Sequence, residues 1–411
     1  MLELTGSEPW VDLTGKKLRI SRWTAIESID GREVVIFHSG NAARLQVSRS
    51  VYDFLRRFKA PATVAEALGR EPDATILGHI RKLVAKGFLA DSAEPDEARR
   101  LRRTRALPFT LWNGPSYQPG AAAVDVSILG LPYDLASSGD PGSRDAPVAI
   151  RRRSLEFGYR IDFVTGRPSG WFDAEREKRI LEGVTFDDRG DVMVQHGEPQ
   201  RAFFDRAGEL VDEILDAGSL PVILGGDHSV TFPVVERLVR RRKVAVLHLD
   251  AHTDSDPSVP EEVVSAQSVG LRLLGLKGVE RLVHFANRGY PVNAEVEHPP
   301  EGVEMVNLAR HRRDPTALLA ALPEELPVYV TLDMKVLDPA FAPGTSCPTP
   351  GGLNLDELKA VLHTVGASRD VVGFDLVELH PGRDIGSVTA ITACHLLLAF
   401  LGEVMARRAA S

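Results

Sequence analysis

The stretch VAVLHLDAHTD, residues Val244 to Asp254, decides the fold. Its first six residues, Val244 to Leu249, form a short, mostly apolar run of strand length, and Asp250-Ala-His-Thr-Asp254 follows at once. The same arrangement recurs on either side. After the apolar run Val222-Ile-Leu224 comes Gly225-Gly-Asp-His-Ser229, and after Val328 to Leu332 comes Asp333-Met-Lys-Val-Leu-Asp-Pro339. Short apolar strands at Val126 to Leu129, Val222 to Leu224, Val244 to Leu249, Val328 to Leu332 and Val371 to Leu376 alternate with amphipathic helical patterns such as Phe203 to Leu215 and Val230 to Val239. That rhythm predicts a parallel sheet with helices on both faces, an α/β fold of three layers.

In such a sheet the residues at the carboxyl ends of strands converge on one crevice. Here those ends carry carboxylates and imidazoles. A single Gly-Gly-Asp-His is as readily a helix start with a capping Asp, and Asp250 alone could cap a loop. Three such motifs, each at the end of an apolar strand, gather too many charges in one place for capping to explain, because clustered charges are costly to bury without a task. Oxygen and imidazole donors without thiolate suit manganese first, with zinc, nickel or iron as alternatives.

These motifs resemble those of the ureohydrolase family, which includes arginase and agmatinase. The likeness extends to Gly142-Ser-Arg-Asp-Ala-Pro-Val-Ala-Ile-Arg151, to the loop Ala342-Pro-Gly-Thr-Ser-Cys-Pro-Thr-Pro-Gly-Gly352, and to Gly373-Phe-Asp-Leu-Val-Glu-Leu-His-Pro381. The resemblance implies an arginase-like fold over residues 121–411. It also implies metal ligands at His228, Asp250, His252, Asp254 and Asp333, and a guanidinium-holding carboxylate at Glu378. Enzymes of this family use two manganese ions to acidify a bridging water that attacks the guanidinium carbon and releases urea.

Two positions depart from the family pattern. Lys335 stands where a further aspartate ligand of the second metal is expected, and Gln267 stands where a proton-shuttling histidine is usual. Strand alternation predicts that Lys335 points into the same crevice as Asp333, so that its ammonium takes the second cation's place. An ammonium among carboxylates stays protonated and acts as an electrostatic stabiliser. One Mn2+ rather than two is therefore expected, with Asp254, Glu378, Lys335 and Gln267 as the candidate catalytic positions. Gln267 cannot shuttle protons as imidazole does, and a neutral hydrogen-bonding role suits it better.

The N-terminal hundred residues read differently. Val34-Val-Ile-Phe37 and Ala43-Arg-Leu-Gln-Val47, joined through His38-Ser-Gly-Asn41, predict a hairpin, and helical patterns follow at Ser48 to Phe58, Thr63 to Leu68 and Asp73 to Lys86. Thr63 with Glu66 has capping-box spacing, Asp73 can cap the third helix, and Gly87 sits where a left-handed cap is expected. Residues 1–95 resemble the small winged-helix domain, similar to PqqD, that recognises leader peptides. Residues 96–120, with Arg99, Arg100, Arg102, Arg103 and Arg105, read as a basic linker.

Bulk composition narrows the rest. The formal charge of -8 over 411 residues demands neither nucleic acid nor an anionic membrane. The two cysteines, Cys347 and Cys394, match no disulfide framework or zinc-thiolate spacing, and a cytoplasmic location is expected. No targeting segment is legible at the start, and the apolar run Ile391 to Phe400 is too short to cross a bilayer. The two resemblances together point to a hydrolase that converts a peptidyl arginine to ornithine and urea. The alternatives are an agmatinase-type hydrolase of a free guanidino compound and a catalytically silent scaffold that binds a peptide or partner. DNA binding is disfavoured, since the N-terminal helices mix acids and bases. The family resemblance implies homo-oligomers, trimers or hexamers.

Overall fold

The computed structural model describes residues 13, 15–21, 24–38, 44–93, 103–105, 108–118, 121–137, 140–195, 197–290 and 298–410. The chain divides into two compact units, Met1–Ala106 with Gln118–Ala122, and Leu107–Tyr117 with Ala123–Ser411.

The larger unit is built on eight parallel strands: β1 (Val126–Leu131), β2 (Phe186–Val192), β3 (Leu220–Gly225), β4 (Val244–Leu249), β5 (Val279–Phe285), β6 (Val303–Val306), β7 (Val328–Asp333) and β8 (Val371–Val377). Their order across the sheet is β6-β5-β4-β7-β8-β3-β1-β2, every pairing parallel. Helices cover the faces. They include α1 (Ala146–Ser154), α2 (Gln200–Asp216), α3 (Thr231–Val239), α4 (Leu355–Ser368) and α5 (Val388–Ala410). One apolar core runs from β1 and β3 through β7 and β8 to α4 and α5, and a second packs Phe203, Phe204, Val211 and Val234 against the other side. This is the three-layer α/β fold that the alternating pattern predicts.

Three of these eight strands escaped the sequence reading. β2 reads Phe-Asp-Asp-Arg-Gly-Asp-Val, too charged for a core strand, yet all seven residues are buried. Arg151 makes the burial tolerable: its guanidinium holds both Asp188 oxygens at 2.8 and 2.9 Å and Asp191 at 2.5 Å. β6 forms the sheet edge with β5 next to it, and both are partly exposed and lack a clean apolar run. The run Ile391 to Phe400 also proves longer than its sequence suggests. It lies inside the 23-residue α5, and Ile385–Ala410 has the length and hydropathy of a membrane span, but 67% of its apolar 18-residue window is buried. Residues from Thr389 to Met405 pack into the core with α4, which is why the helix is apolar all round.

The smaller unit carries an antiparallel sheet in which Val34 faces Val47 and Ile36 faces Leu45, as the hairpin pattern predicts. The turn residues 39–43 lie outside the described residues, as do Arg99, Arg100 and Arg102. A third strand, Thr24–Asp30, and a pairing of Leu18–Ile20 with Leu89–Asp91 were not foreseen, being exposed or only three residues long. The helices start where their caps predict: Ser48 caps Arg49–Leu55, Thr63 and Glu66 form the capping box of Val64–Leu68, and the Asp73 side chain accepts from the Ile76 N–H. The first helix is shorter than expected, giving way to a 3-10 turn at Arg56–Lys59. Gly87 adopts φ +79°, the left-handed cap. Residues 111–113, inside the stretch read as linker, form a 3-10 turn whose Leu111 and Trp112 are buried in the larger unit.

Candidate metal centre

Four central strands deliver the site. The register sets Leu249 beside Leu332, Leu332 beside Leu376 and Leu224 beside Leu376, so β4, β7, β8 and β3 end at one level. β3 leads into Gly225-Gly226-Asp227, and Gly226 is required there: a Cβ would stand 1.9 Å from the Tyr133 carbonyl oxygen. Asp227 is fully buried and caps the next turn, accepting from the N–H of Ser229 at 3.0 Å and of Ala136 at 3.1 Å. The capping reading of this motif therefore holds for Asp227, while the next residue, His228, faces the strand ends.

His228 stands at the centre. Its Nδ1 lies 2.9 Å from Asp254 Oδ2, 3.2 Å from Asp333 Oδ2 and 3.5 Å from Asp250 Oδ2. Its other nitrogen, Nε2, lies 2.9 Å from Thr331 Oγ1, which fixes the ring. Asp254 adopts φ +50° and Glu378 φ +65°, backbone strain that L-residues accept where surrounding structure imposes it. Glu378 accepts from the His228 N–H at 2.9 Å and from Ser346 Oγ at 3.1 Å.

Lys335 is buried among these groups. Its Nζ lies 2.9 Å from Asp333 Oδ2 and 3.4 Å from Glu378 Oε2. The predicted direction is observed, but alternation is not its cause. β7 ends at Asp333, and Lys335 belongs to a 3-10 turn, Met334–Val336, whose start is capped by the Asp333 side chain accepting the Lys335 N–H at 2.6 Å. Burial would depress the ammonium, but Asp333, Glu378, Asp250 and Asp254 outweigh it and hold its pKa well above the ordinary lysine value.

The remaining expected residues sit further out. His252 is partly exposed, with Nδ1 3.3 Å from Asp250 Oδ1 and Nε2 3.3 Å from Thr349 Oγ1. Gln267 is exposed on the wall of a cavity of about 930 Å³ that His252, Asp254, Lys335, Ser346, Cys347 and Glu378 also line. The structure thus brings His228, Asp250, Asp254, Asp333, Lys335 and Glu378 together, with His252 at the cavity side of Asp250 and Gln267 on the wall.

Do these residues fit a cation? His228 Nδ1, Asp250 Oδ2, Asp254 Oδ2 and Asp333 Oδ2 are buried and without hydrogen-bond partners, and they face one another. Buried polar atoms are rarely left so, and four that converge mark a place for a positive charge. The electrostatics agree. Burial, and then the Asp250 charge, push the Asp333 carboxyl up to about 7. Asp250, whose burial alone would raise it, is held well below the usual range by the Lys335 ammonium and by the neighbouring imidazoles of His228 and His252. Lys335 alone does not neutralise four carboxylates, and the donor set of oxygen and imidazole fits a hard divalent ion.

Sequence reasoning missed several participants. Thr331, His248, His284 and Ser346 all touch the cluster or its ligands. His248 was legible in principle: it lies two residues before Asp250 on β4 and so shares its face. His284 arrives from β5, whose pairing with β4 aligns it with His248, and nothing local in the sequence signals that.

The parallel sheet and the buried His/Asp cluster at its strand ends fit a metal-dependent enzyme, and the family match fixes the class as a hydrolase acting on the C–N bonds of linear amidines. The chain belongs to the arginase family, whose model matches residues 124–402. It is 33% identical over 283 residues to an agmatinase of Bacillus anthracis, covering 67% of this chain and 90% of that protein. An agmatinase of Bacillus subtilis is 32% identical over 285 residues, covering 68% and 92%. Among solved structures, proclavaminate amidino hydrolase from Streptomyces clavuligerus superposes with a TM-score of 0.62 at 29% identity, covering 74% of this chain and 98% of that one. Arginase from Medicago truncatula superposes with a TM-score of 0.59 at 29% identity, covering 69% and 89%.

Proposed function

We propose that this protein hydrolyses the guanidino group of a free small molecule, as an agmatinase-type amidinohydrolase, with one manganese ion and with Lys335 in place of a second cation. The observation that carries this reading is the set of orphaned donors on His228, Asp250, Asp254 and Asp333, with the Lys335 ammonium 2.9 Å from Asp333 and the cavity beside it. A bound divalent ion supplies Lewis-acid charge and acidifies a water. The chain does the rest. His228, Asp250, Asp254 and Asp333 would hold the ion. Lys335 compensates carboxylate charge from a fixed position. Glu378 Oε2, braced by Ser346 Oγ, keeps lone pairs free to accept from a guanidinium in the cavity. Gln267 on the wall offers the substrate an amide rather than a proton relay.

The relatives favour the small-molecule reading over a peptidyl arginine. Those compared bear the names agmatinase, arginase and proclavaminate amidino hydrolase, and the family match begins at residue 124, leaving the N-terminal unit outside it. Leader-peptide capture by residues 1–95 thus rests on the PqqD resemblance alone. A silent scaffold is the competing reading that Lys335 favours. Urea release from agmatine, measured on manganese-loaded protein beside a metal-free control, tests the proposal. Manganese-dependent release supports it, and none from any free guanidino compound at full loading overturns it.

A further inference from the structure

Below the cluster two more imidazoles are buried on neighbouring strands. His248 of β4 is fully buried and His284 of β5 is 2% exposed. Their Nδ1 atoms lie 2.7 Å apart, so one donates and the other accepts. The free end of His248 is the telling atom. Its Nε2 is buried without a hydrogen-bond partner and lies 3.7 Å from Asp254 Oδ2 and 3.8 Å from Asp250 Oδ2. These separations are too long for hydrogen bonds. They suit two donors of one ion: metal bonds of about 2.0–2.2 Å set the ligands of one ion about 3–4.4 Å apart. Donor atoms of His228, His248, Asp250 and Asp254 all lie within 4.8 Å of one another. Within this group His228 Nδ1 lies 2.9 Å from Asp254 Oδ2, and Asp333 Oδ2, outside the group, lies 3.2 Å from the same nitrogen.

We propose that His248 Nε2 is a further protein ligand of the single ion, and that His284 fixes its orientation by accepting the His248 Nδ1 proton at its own Nδ1. The proposal rests on the one-ion reading and adds to it. With His248 the ion would have four protein donors that lie within 4.8 Å of one another, those of His228, His248, Asp250 and Asp254. A ligating imidazole ordinarily donates its other N–H to a fixed acceptor, and His284 provides one. The arrangement also places a second imidazole on the ion without using His252, which stands on the far side of Asp250.

The test counts nitrogens. Full-length protein carrying manganese is studied by pulsed EPR with 15N-histidine labelling, and manganese per chain is measured on the same sample. The expected result is one ion per chain and two directly bound imidazole nitrogens, still two in His252→Ala and one in His248→Gln. His284→Leu is expected to keep the count while weakening manganese binding about 10–100-fold. A single bound nitrogen in the unaltered protein, or loss of one in His252→Ala, overturns the assignment, and the first of these needs no variant to fold. Unchanged affinity in His284→Leu overturns the orienting role. Two ions per chain sink the one-ion reading itself, whereas one ion with one nitrogen sinks His248 alone.

Discussion

At the residue scale the chemistry turns on Lys335. In the metal-free cluster it is the only ammonium facing Asp333 and Glu378 among the described residues, at 2.9 and 3.4 Å. Replacing it with methionine leaves buried carboxylates without their partner, so Lys335→Met is expected to destabilise the metal-free protein by about 3–5 kcal/mol, read by urea unfolding in chelator. An unchanged midpoint would show that the ammonium compensates nothing. Lys335→Asp tests the same idea from the other side: the cluster then needs a second cation, and manganese content is expected to rise from one ion per chain to two. Glu378 belongs to substrate binding in this account. Glu378→Gln removes a charge-assisted bond to a guanidinium worth about 1.5–3 kcal/mol, so KM for the guanidino substrate should rise about 10–100-fold. A fall in kcat with KM unchanged would remove Glu378 from that role.

At the element scale the site depends on where strands stop and how the next turn begins. Gly226 allows β3 to pass the Tyr133 carbonyl before His228 turns into the cluster, and its missing Cβ would stand 1.9 Å from that oxygen. Gly226→Ala is therefore expected to lower manganese affinity together with thermal stability. Asn354→Ala, which deletes the capping box of α4, is expected to cost about 1 kcal/mol and leave manganese content untouched. Equal metal loss in both variants would deny that the β3 turn has a special place. The same scale explains what the sequence disclosed. The apolar strands β1, β3, β4, β7 and β8 were legible because each is a short hydrophobic run, and with them the convergence of Asp250, Asp254, Asp333 and His228. β2 was not, because its Asp188 and Asp191 are neutralised by Arg151 from α1, a partner distant in sequence. Lys335 was aimed correctly for the wrong reason, since the 3-10 turn after β7 rather than strand alternation turns it inward. The His248–His284 contact depends on sheet register, which no local pattern encodes.

At the scale of the whole molecule the family match and the metal cluster fall within one compact unit, Leu107–Tyr117 with Ala123–Ser411, and the N-terminal sheet and helices within the other. Deleting residues 1–95 is accordingly expected to leave manganese binding and turnover of a free guanidino compound within about two-fold of the full chain, because no proposed ligand or substrate-binding residue lies there. Loss of turnover with retained manganese would assign the small unit a part in catalysis. The central claim is that a one-ion site completed by Lys335 still hydrolyses a free guanidino substrate. The most direct measurement is urea release from agmatine, free arginine and an arginine-containing peptide by protein whose manganese content has been determined. Release from a free guanidino compound at one manganese per chain is the expected result. Release from the peptide alone, or from none of the three at full loading, would contradict it.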